Sequence, residues 1–348
     1  MIVDDSAVIR GLFARVLEAD GDGIKVVASV GDGALALKAL ERYDIDIVLL
    51  DIEMPNMDGL TALPKLVAAK PGLVVIMASS LTERNADISL RALRMGATDY
   101  VTKPSSREAL RSADEFKRDL VSKVKALGRR GNDEPSNDEA VKAASPRRPV
   151  PRAGGKGEIV LRQGGMSKPQ VIAIGSSTGG PQALAEVLKS VTQSIDLPIL
   201  VTQHMPPTFT SILATHMGQT TGWACAEAQD GDIIQKRHIY IAPGGRHMLV
   251  EAQGSQKIIR LSDDPPVNFC RPAVDPMLTS IAKAYGPSVL VTILTGMGYD
   301  GRAGSEDIVH SGGTVIAQDE ETSVVWGMPG AVATSGLCSA VLPLSEIG

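Results

Sequence analysis

Three residues capable of hydrolytic chemistry, a serine, a histidine and an aspartate, stand far apart in a chain of 348 residues, each just after a short apolar run. The serine belongs to Gly175-Ser176-Ser177-Thr178-Gly179, a G-x-S-x-G pattern between the run 171–175 and the helical spacing of 182–189. A sharp strand-to-helix turn of this kind exposes its central serine and lets a substrate approach the backbone. Two other readings of the same glycines fit less well. A P-loop needs Lys and then Ser or Thr after its second glycine, and Pro181-Gln182 stands there. A dinucleotide fingerprint needs glycine where Ser177 stands and an acid ending the next strand, whereas Asp196 precedes it. A serine hydroxyl is a weak nucleophile without a base. His204 supplies one at the carboxyl end of the following run, in Val201-Thr202-Gln203-His204-Met205-Pro206, on the edge where Ser177 must lie. His247, on a loop, is the second choice, while His216, His238 and His310 sit in helical or strand-start patterns. Asp300, in Gly298-Tyr299-Asp300-Gly301, follows a third run and would orient the imidazole. The order Ser…His…Asp is not that of the α/β-hydrolases, but the three roles can be met on any fold.

A second group lies in the first third of the chain. Asp4 and Asp5 end one β-branched run, Asp51 another, Ser79 a third and Lys103 a fourth. Three carboxylates at one rim repel one another unless a hard divalent cation sits among them, so a Mg²⁺ pocket is expected at Asp4, Asp5 and Asp51. With a hydroxyl and an ammonium at the same rim, the product suited to the site is an aspartyl phosphate.

The elements that must position these groups are legible as alternation. Over residues 1–127, runs at 2–5, 25–30, 45–51, 74–79 and 99–103 are separated by helical spacing such as 33–42 and 82–95, ending with a helix over 106–127. Five β-α units imply a parallel sheet covered on both faces; in the order 2-1-3-4-5, ligands bind outside the carboxyl ends of strands one and three. Only three residues precede Asp4, so the central first strand is expected to be clipped, from a start assigned late or a truncation. Residues 128–168 carry seven glycines, four prolines and no aromatic residue, which predicts a flexible linker. Residues 169–348 return to α/β, with strands at 171–175, 199–203, 238–241, 289–294 and 314–318.

Charge and composition exclude several classes. The net charge is −2 over 1–127, +4 over 128–168 and −7 over 169–348, so the last segment would be repelled by a phosphate backbone and no nucleic-acid partner is expected. No apolar run approaches the ~18 residues of a membrane helix, and no signal peptide opens the chain. Three scattered cysteines, Cys225, Cys270 and Cys338, give neither a disulfide framework nor a zinc motif and fit the cytoplasm. A transcriptional regulator is disfavoured by the −7 charge and the lack of a compact helix-turn-helix segment.

Residues 1–127 resemble the response-regulator receiver domain, through Asp4-Asp5, Leu50-Asp51-Ile52-Glu53-Met54-Pro55, Ser79 and Lys103-Pro104. From about residue 169 onward the chain resembles the catalytic domain of chemotaxis protein-glutamate methylesterases. The matching segments are Ile174–Gly180, Gln203-His204-Met205-Pro206, Ile241–Gly245, Cys270–Asp275, Thr295–Gly301 and Ala317–Glu320. The resemblance implies a flavodoxin-like receiver at 1–127, a linker at 128–168 and a doubly wound, mostly parallel α/β catalytic domain at 169–348. It implies phosphorylation of Asp51 by a histidine kinase, with Mg²⁺ on Asp5, Asp51 and the Glu53 carbonyl, assisted by Asp4. Ser79 and Tyr100 would be the switch residues, and the Lys103-Pro104 bond would be cis. In the second domain it implies Ser177 as nucleophile, His204 as base, Asp300 as its orienter, and the N–H groups of Thr178 and Met297 as oxyanion donors. The implied substrates are glutamate γ-methyl esters and glutamines of chemoreceptors, hydrolysed by a monomer without a cofactor, and the unphosphorylated receiver would cover the catalytic site.

Overall fold

The computed structural model describes residues 1–19, 23–104, 111–128 and 159–348. The first domain runs β1 (Ile2–Val3), α1 (Ala7–Glu18), β2 (Ser29–Val30), α2 (Gly33–Leu40), β3 (Ile47–Asp51), α3 (Gly59–Ala69), β4 (Val74–Ser79), α4 (Glu83–Arg94), β5 (Asp99–Thr102) and α5 (Arg111–Gly128). The sheet order is β2-β1-β3-β4-β5, all parallel. Side-chain caps start α1 to α4: Ser6, Asp32, Asp58 and Thr82 accept the backbone N–H of Ile9, Leu35, Thr61 and Asn85, each satisfying a donor the first turn leaves open.

The central strand is indeed short. Ile2 and Val3 pair with Ser29 and Val30 on one side and with Leu49 and Leu50 on the other. Among the described residues edge strand β2 pairs with β1 alone, so the expected run over 25–30 is laddered at Ser29–Val30. The Lys103–Pro104 bond is not cis; among the described residues the cis bond is Arg271–Pro272. The expected helix begins at 111, and its positions 106–110 lie outside the described residues, as does most of the expected linker. Residues 159–168, assigned to the linker by composition, lie against the second domain: Arg162 N–H donates to Cys338 O at 2.9 Å, and Gly165 N–H to Thr314 Oγ1 at 2.9 Å.

The second domain runs β6 (Val171–Ser176), α6 (Gly180–Ser194), β7 (Ile199–Gln203), α7 (Phe209–Thr221), β8 (Ala224–Glu227), β9 (His238–Ile241), β10 (His247–Gln253), β11 (Gln256–Ser262), α8 (Val274–Tyr285), β12 (Val289–Ile293), α9 (Arg302–His310), β13 (Thr314–Gln318), α10 (Met328–Ala333), β14 (Ala340–Leu342) and α11 (Leu344–Ile347). Seven strands form a parallel sheet of order β14-β13-β12-β6-β7-β9-β8, and β10 and β11 form a separate antiparallel hairpin. Continuous apolar strands such as β6, buried at every position, are what a sheet covered on both faces requires. From β6 the chain winds first toward β7 and later returns to β12 on the other side, so the switch point lies between β6 and β12. An open α/β sheet binds ligands outside the carboxyl ends of the strands at such a crevice.

The domains share an apolar cluster. Helix α4 packs on α6 and α7, and one buried cluster includes Leu90, Leu93 and Tyr100 of the first domain with Leu184, Phe209 and Leu213 of the second. Gln182 Nε2 donates to Ala97 O at 3.1 Å, and His216 Nε2 lies 3.0 Å from Asp87 Oδ1. No described helix is long and apolar enough to cross a membrane.

Candidate active site and phosphoacceptor pocket

Three strand ends bring the candidate triad to one edge. Ser177 follows β6, His204 follows β7, and Asp300 lies on the loop after β12. The turn carrying Ser177 depends on two glycines. Gly179 adopts φ 76°, and a Cβ on Gly296 would come within 2.9 Å of the Ser177 Cβ. Ser177 N–H donates to Thr295 O at 3.0 Å, and its own carbonyl accepts from Gly180 N–H at 2.7 Å and Gln203 Nε2 at 2.9 Å. His204 N–H donates to Ser176 O at 3.1 Å, so the two loops are tied through their backbones.

His204 Nε2 lies 2.7 Å from Asp300 Oδ2. The other ring nitrogen, Nδ1, lies 3.4 Å from Cys270 Sγ. Among the described residues the Ser177 hydroxyl makes no hydrogen bond, so the His204–Asp300 pair is assembled and its link to the serine is open. Catalytic hydrogen bonds commonly tighten only when substrate is bound.

Asp300 is 2% exposed at the N-terminus of α8. Val274 N–H donates to its Oδ2 at 2.6 Å, while Asp275 N–H and Asn268 Nδ2 donate to Oδ1 at 3.1 and 3.0 Å. Burial alone would raise this carboxyl, but His204 and the backbone donors outweigh it and hold Asp300 at about 2. For His204, burial alone would favour the neutral ring. The Cys270 sulfur and the Asp300 carboxylate prevail and raise it to about 10. Asp275 is pushed up to about 6, first by burial and then by the Asp300 charge. An ionised Asp300 accepts a hydrogen bond from the Nε2–H of the neutral ring, which leaves Nδ1 as the basic atom.

Two further donors stand free. The backbone N–H groups of Thr178 and Met297 have no acceptor among the described residues, and Met297 follows Gly296, which touches Ser177. The runner-up His247 is elsewhere occupied. It starts β10, is 1% exposed, accepts Ala273 N–H on Nδ1 at 3.2 Å and faces Pro265 O with Nε2 at 3.2 Å. His238 stacks on Tyr240, and His310 ends α9.

Asn268, Cys270, Asp275 and Gln203 were not assigned roles from sequence. Cys270, Asp275 and Gln203 fall inside matched segments; the contacts of Cys270 and Asn268 come from a loop with left-handed Asn268 (φ 52°) and Phe269 (φ 64°), which spacing does not reveal.

In the first domain, Asp4, Asp5 and Asp51 bring carboxylate oxygens within 4.8 Å of one another. Lys103 Nζ spans two of them, 2.7 Å from Asp4 Oδ2 and 2.6 Å from Asp51 Oδ1. Burial raises Asp51 despite the lysine; Lys103, which burial alone would lower, is raised by Asp4 and Asp51. The buried Ser79 hydroxyl donates to Ser80 O at 3.2 Å and Asn85 O at 3.3 Å, toward the start of α4. The Glu53 side chain is exposed, 3.7 Å from Arg84. Tyr100, 5% exposed, stacks on Phe209 of the second domain with centroids 4.6 Å apart.

Comparison with known proteins agrees with this architecture. Residues 172–348 match the family model of CheB methylesterase, and residues 1–114 that of the response regulator receiver domain. A protein-glutamate methylesterase/protein-glutamine glutaminase of Paramagnetospirillum magneticum is 57% identical over 357 residues, covering 100% of this chain and 93% of the relative. Its counterpart in Azospirillum brasilense is 56% identical, covering 100% and 90%. The catalytic domain of Thermotoga maritima CheB methylesterase aligns with a TM-score of 0.50 at 40% identity, covering 52% of this chain and 96% of that structure. With both domains and the full length matched, the chain belongs to the CheB methylesterase family, as a response-regulator receiver joined to a methylesterase catalytic domain.

Proposed function

We propose that this chain hydrolyses glutamate γ-methyl esters on chemoreceptor cytoplasmic domains, releasing methanol, deamidates receptor glutamines, and is activated by phosphorylation of Asp51. The observation that carries the hydrolytic reading is the His204–Asp300 pair, 2.7 Å apart, at the sheet edge that also carries Ser177 and two unused N–H groups. In this reading Ser177 Oγ attacks the ester or amide carbon while His204 Nδ1 takes its proton. The oxyanion is received by the N–H groups of Thr178 and Met297. His204 then returns the proton to the departing methanol or ammonia, and a water activated in the same way cleaves the acyl-serine. Asp300 holds the imidazole by its Nε2–H and remains ionised throughout.

The domain limits proposed are 1–127, 128–168 and 169–348, with the last ten residues of the middle segment docked on the second domain, for a monomer of the cytoplasm. The all-oxygen donor set of Asp4, Asp5 and Asp51 suits Mg²⁺, with the Glu53 carbonyl as a further ligand. Bound there, Mg²⁺ would neutralise phosphoryl charge during transfer from a histidine kinase to Asp51. Lys103 and Ser79 are the groups placed to hold that phosphoryl.

Contacts between the domains support the regulatory half. The Arg118 guanidinium lies 4.3 Å over the ring of Phe269, the residue beside Cys270, so the receiver reaches the rim of the catalytic loop. The test is methanol release from methylated receptor, with and without a small phosphodonor. Ser177→Ala should lower turnover by ~10⁴- to 10⁶-fold. Near-normal release from a folded Ser177→Ala protein would remove the assignment.

A further inference from the structure

The nucleophile that the imidazole of His204 touches in this structure is a cysteine. Cys270 Sγ lies 3.4 Å from Nδ1, and Nε2 lies 2.7 Å from Asp300 Oδ2, an unbroken thiol–imidazole–carboxylate line. A nucleophile within reach of a base that is itself oriented by a third group is the arrangement that activates thiols. The other cysteines lack it: burial pushes Cys225 and Cys338 up to about 12. Cys270 is half-buried on the loop between β11 and α8, next to the exposed Phe269.

We propose that Cys270 is a modification site for hydroperoxides and other soft electrophiles, its thiol activated by His204 and Asp300, and that its modification switches the esterase off. The switching half rests on His204 being the esterase's base; the reactivity of the thiol does not. With a hydroperoxide, the thiol proton passes to His204 Nδ1 and the thiolate attacks the distal peroxide oxygen. The S–O bond forms as the O–O bond breaks. Sulfur is oxidised by two electrons to the sulfenic acid, the peroxide is reduced, and the departing alkoxide or hydroxide takes the proton from His204. The added oxygen then occupies the face of Nδ1 that Ser177 requires. Reduction by an added dithiol restores the thiol.

The experiment uses the full-length chain in two arms. In the first, brief treatment with iodoacetamide is followed by peptide mass spectrometry at all three cysteines. Cys270 should be alkylated at least ~10-fold faster than Cys225 or Cys338, and His204→Gln and Asp300→Asn should each slow Cys270 by ~10-fold or more. Unchanged slow labelling of Cys225 and Cys338 reports that the variants remain folded. Equal Cys270 rates in the wild type and in both folded variants overturn the proposal. In the second arm, methanol release is measured before and after hydrogen peroxide. The wild type should lose most of its activity and regain it with dithiothreitol, whereas Cys270→Ala should retain most of whatever activity it starts with. An equal fractional loss in Cys270→Ala overturns the switch. Should the wild type release no methanol at all, the esterase reading fails, while the alkylation arm still decides on the thiol.

Discussion

The ring of Tyr100, on β5 of the first domain, lies flat on the ring of Phe209, the first residue of α7 in the second, with centroids 4.6 Å apart and planes at 12°. Tyr100 is two residues before the end of β5, and Lys103 follows that strand directly. Lys103 in turn bridges Asp4 and Asp51. A change at Asp51 therefore has a short route, through the Lys103 ion pair and three residues of chain, to an aromatic contact shared by both domains, and a two-state movement of Tyr100 would be felt in the catalytic half.

Weakening that contact should release the catalytic site without phosphate. Phe209→Leu keeps an apolar side chain but loses the ring stack, worth about 0.5–1.5 kcal/mol beyond its area. That difference shifts a closed–open equilibrium by roughly 2- to 10-fold. Basal methanol release by unphosphorylated Phe209→Leu should rise by that factor, while the phosphorylated rate changes far less. A basal rate equal to wild type would show that the stack does not hold the closed state.

The acid limb of kcat/KM should lie above 6.5, the ordinary value for histidine. Burial alone would lower His204, but the Cys270 sulfur and the Asp300 carboxylate raise it, to about 10. With the neutral ring proposed as the base, activity should climb with pH as the imidazolium loses its proton. Asp300→Asn removes one of the raising charges, so its limb should move to lower pH even as turnover falls, by ~10⁴-fold in comparable triads. A limb that stays in place in Asp300→Asn would separate that aspartate from the titrating base.

Much of this was legible in the sequence, for reasons that differ between the parts. Strands β7, β9 and β13 match their expected limits because β-branched runs bounded by turn residues leave little choice. Ser177, His204 and Asp300 were singled out because each follows such a run, and a parallel sheet puts all those ends on one edge. The β10–β11 hairpin was missed: His247 was read as a loop residue, though its strand pairs with β11 through Met248↔Leu261 and Val250↔Ile259. Strand end alone also could not say which imidazole nitrogen faces the aspartate, or that Cys270 would reach the other. Those facts depend on the backbone at Asn268 and Phe269, where positive φ values are set by packing instead of composition.

Removing the Lys103 ammonium should make the first domain depend on a divalent cation. Its Nζ lies 2.7 and 2.6 Å from carboxylates of Asp4 and Asp51, which are 1% and 6% exposed. Breaking a buried ion pair from one side costs about 3–5 kcal/mol, and less here because Lys103 is partly exposed. Lys103→Met should therefore lower Tm in a chelator. Added Mg²⁺ should raise Tm more in Lys103→Met than in wild type, because the cation no longer displaces an ammonium from the same oxygens. Equal Mg²⁺ shifts in the two proteins would mean that the lysine and the metal do not compete.

Asp275 should cost stability at neutral pH, and Asp275→Asn should recover it. Burial, followed by the Asp300 charge, raises Asp275 from 3.8 to about 6. A carboxyl raised on folding contributes stability that is fully present below its unfolded value and is lost as pH rises through its folded value. The loss therefore falls between about pH 4 and pH 6 and, at about 1.4 kcal/mol per unit, is on the order of 3 kcal/mol. Asp300, held at about 2, works in the opposite sense: its contribution is present above 3.8 and disappears only as pH falls toward 2. An asparagine at 275 cannot ionise, yet its amide oxygen can still accept the Gly304 N–H that Asp275 Oδ1 accepts at 2.7 Å. The Tm of Asp275→Asn relative to wild type should accordingly climb between pH 4 and pH 7 and then level off. Parallel Tm curves across that window would show that Asp275 ionises in the folded protein as easily as it does in the unfolded chain.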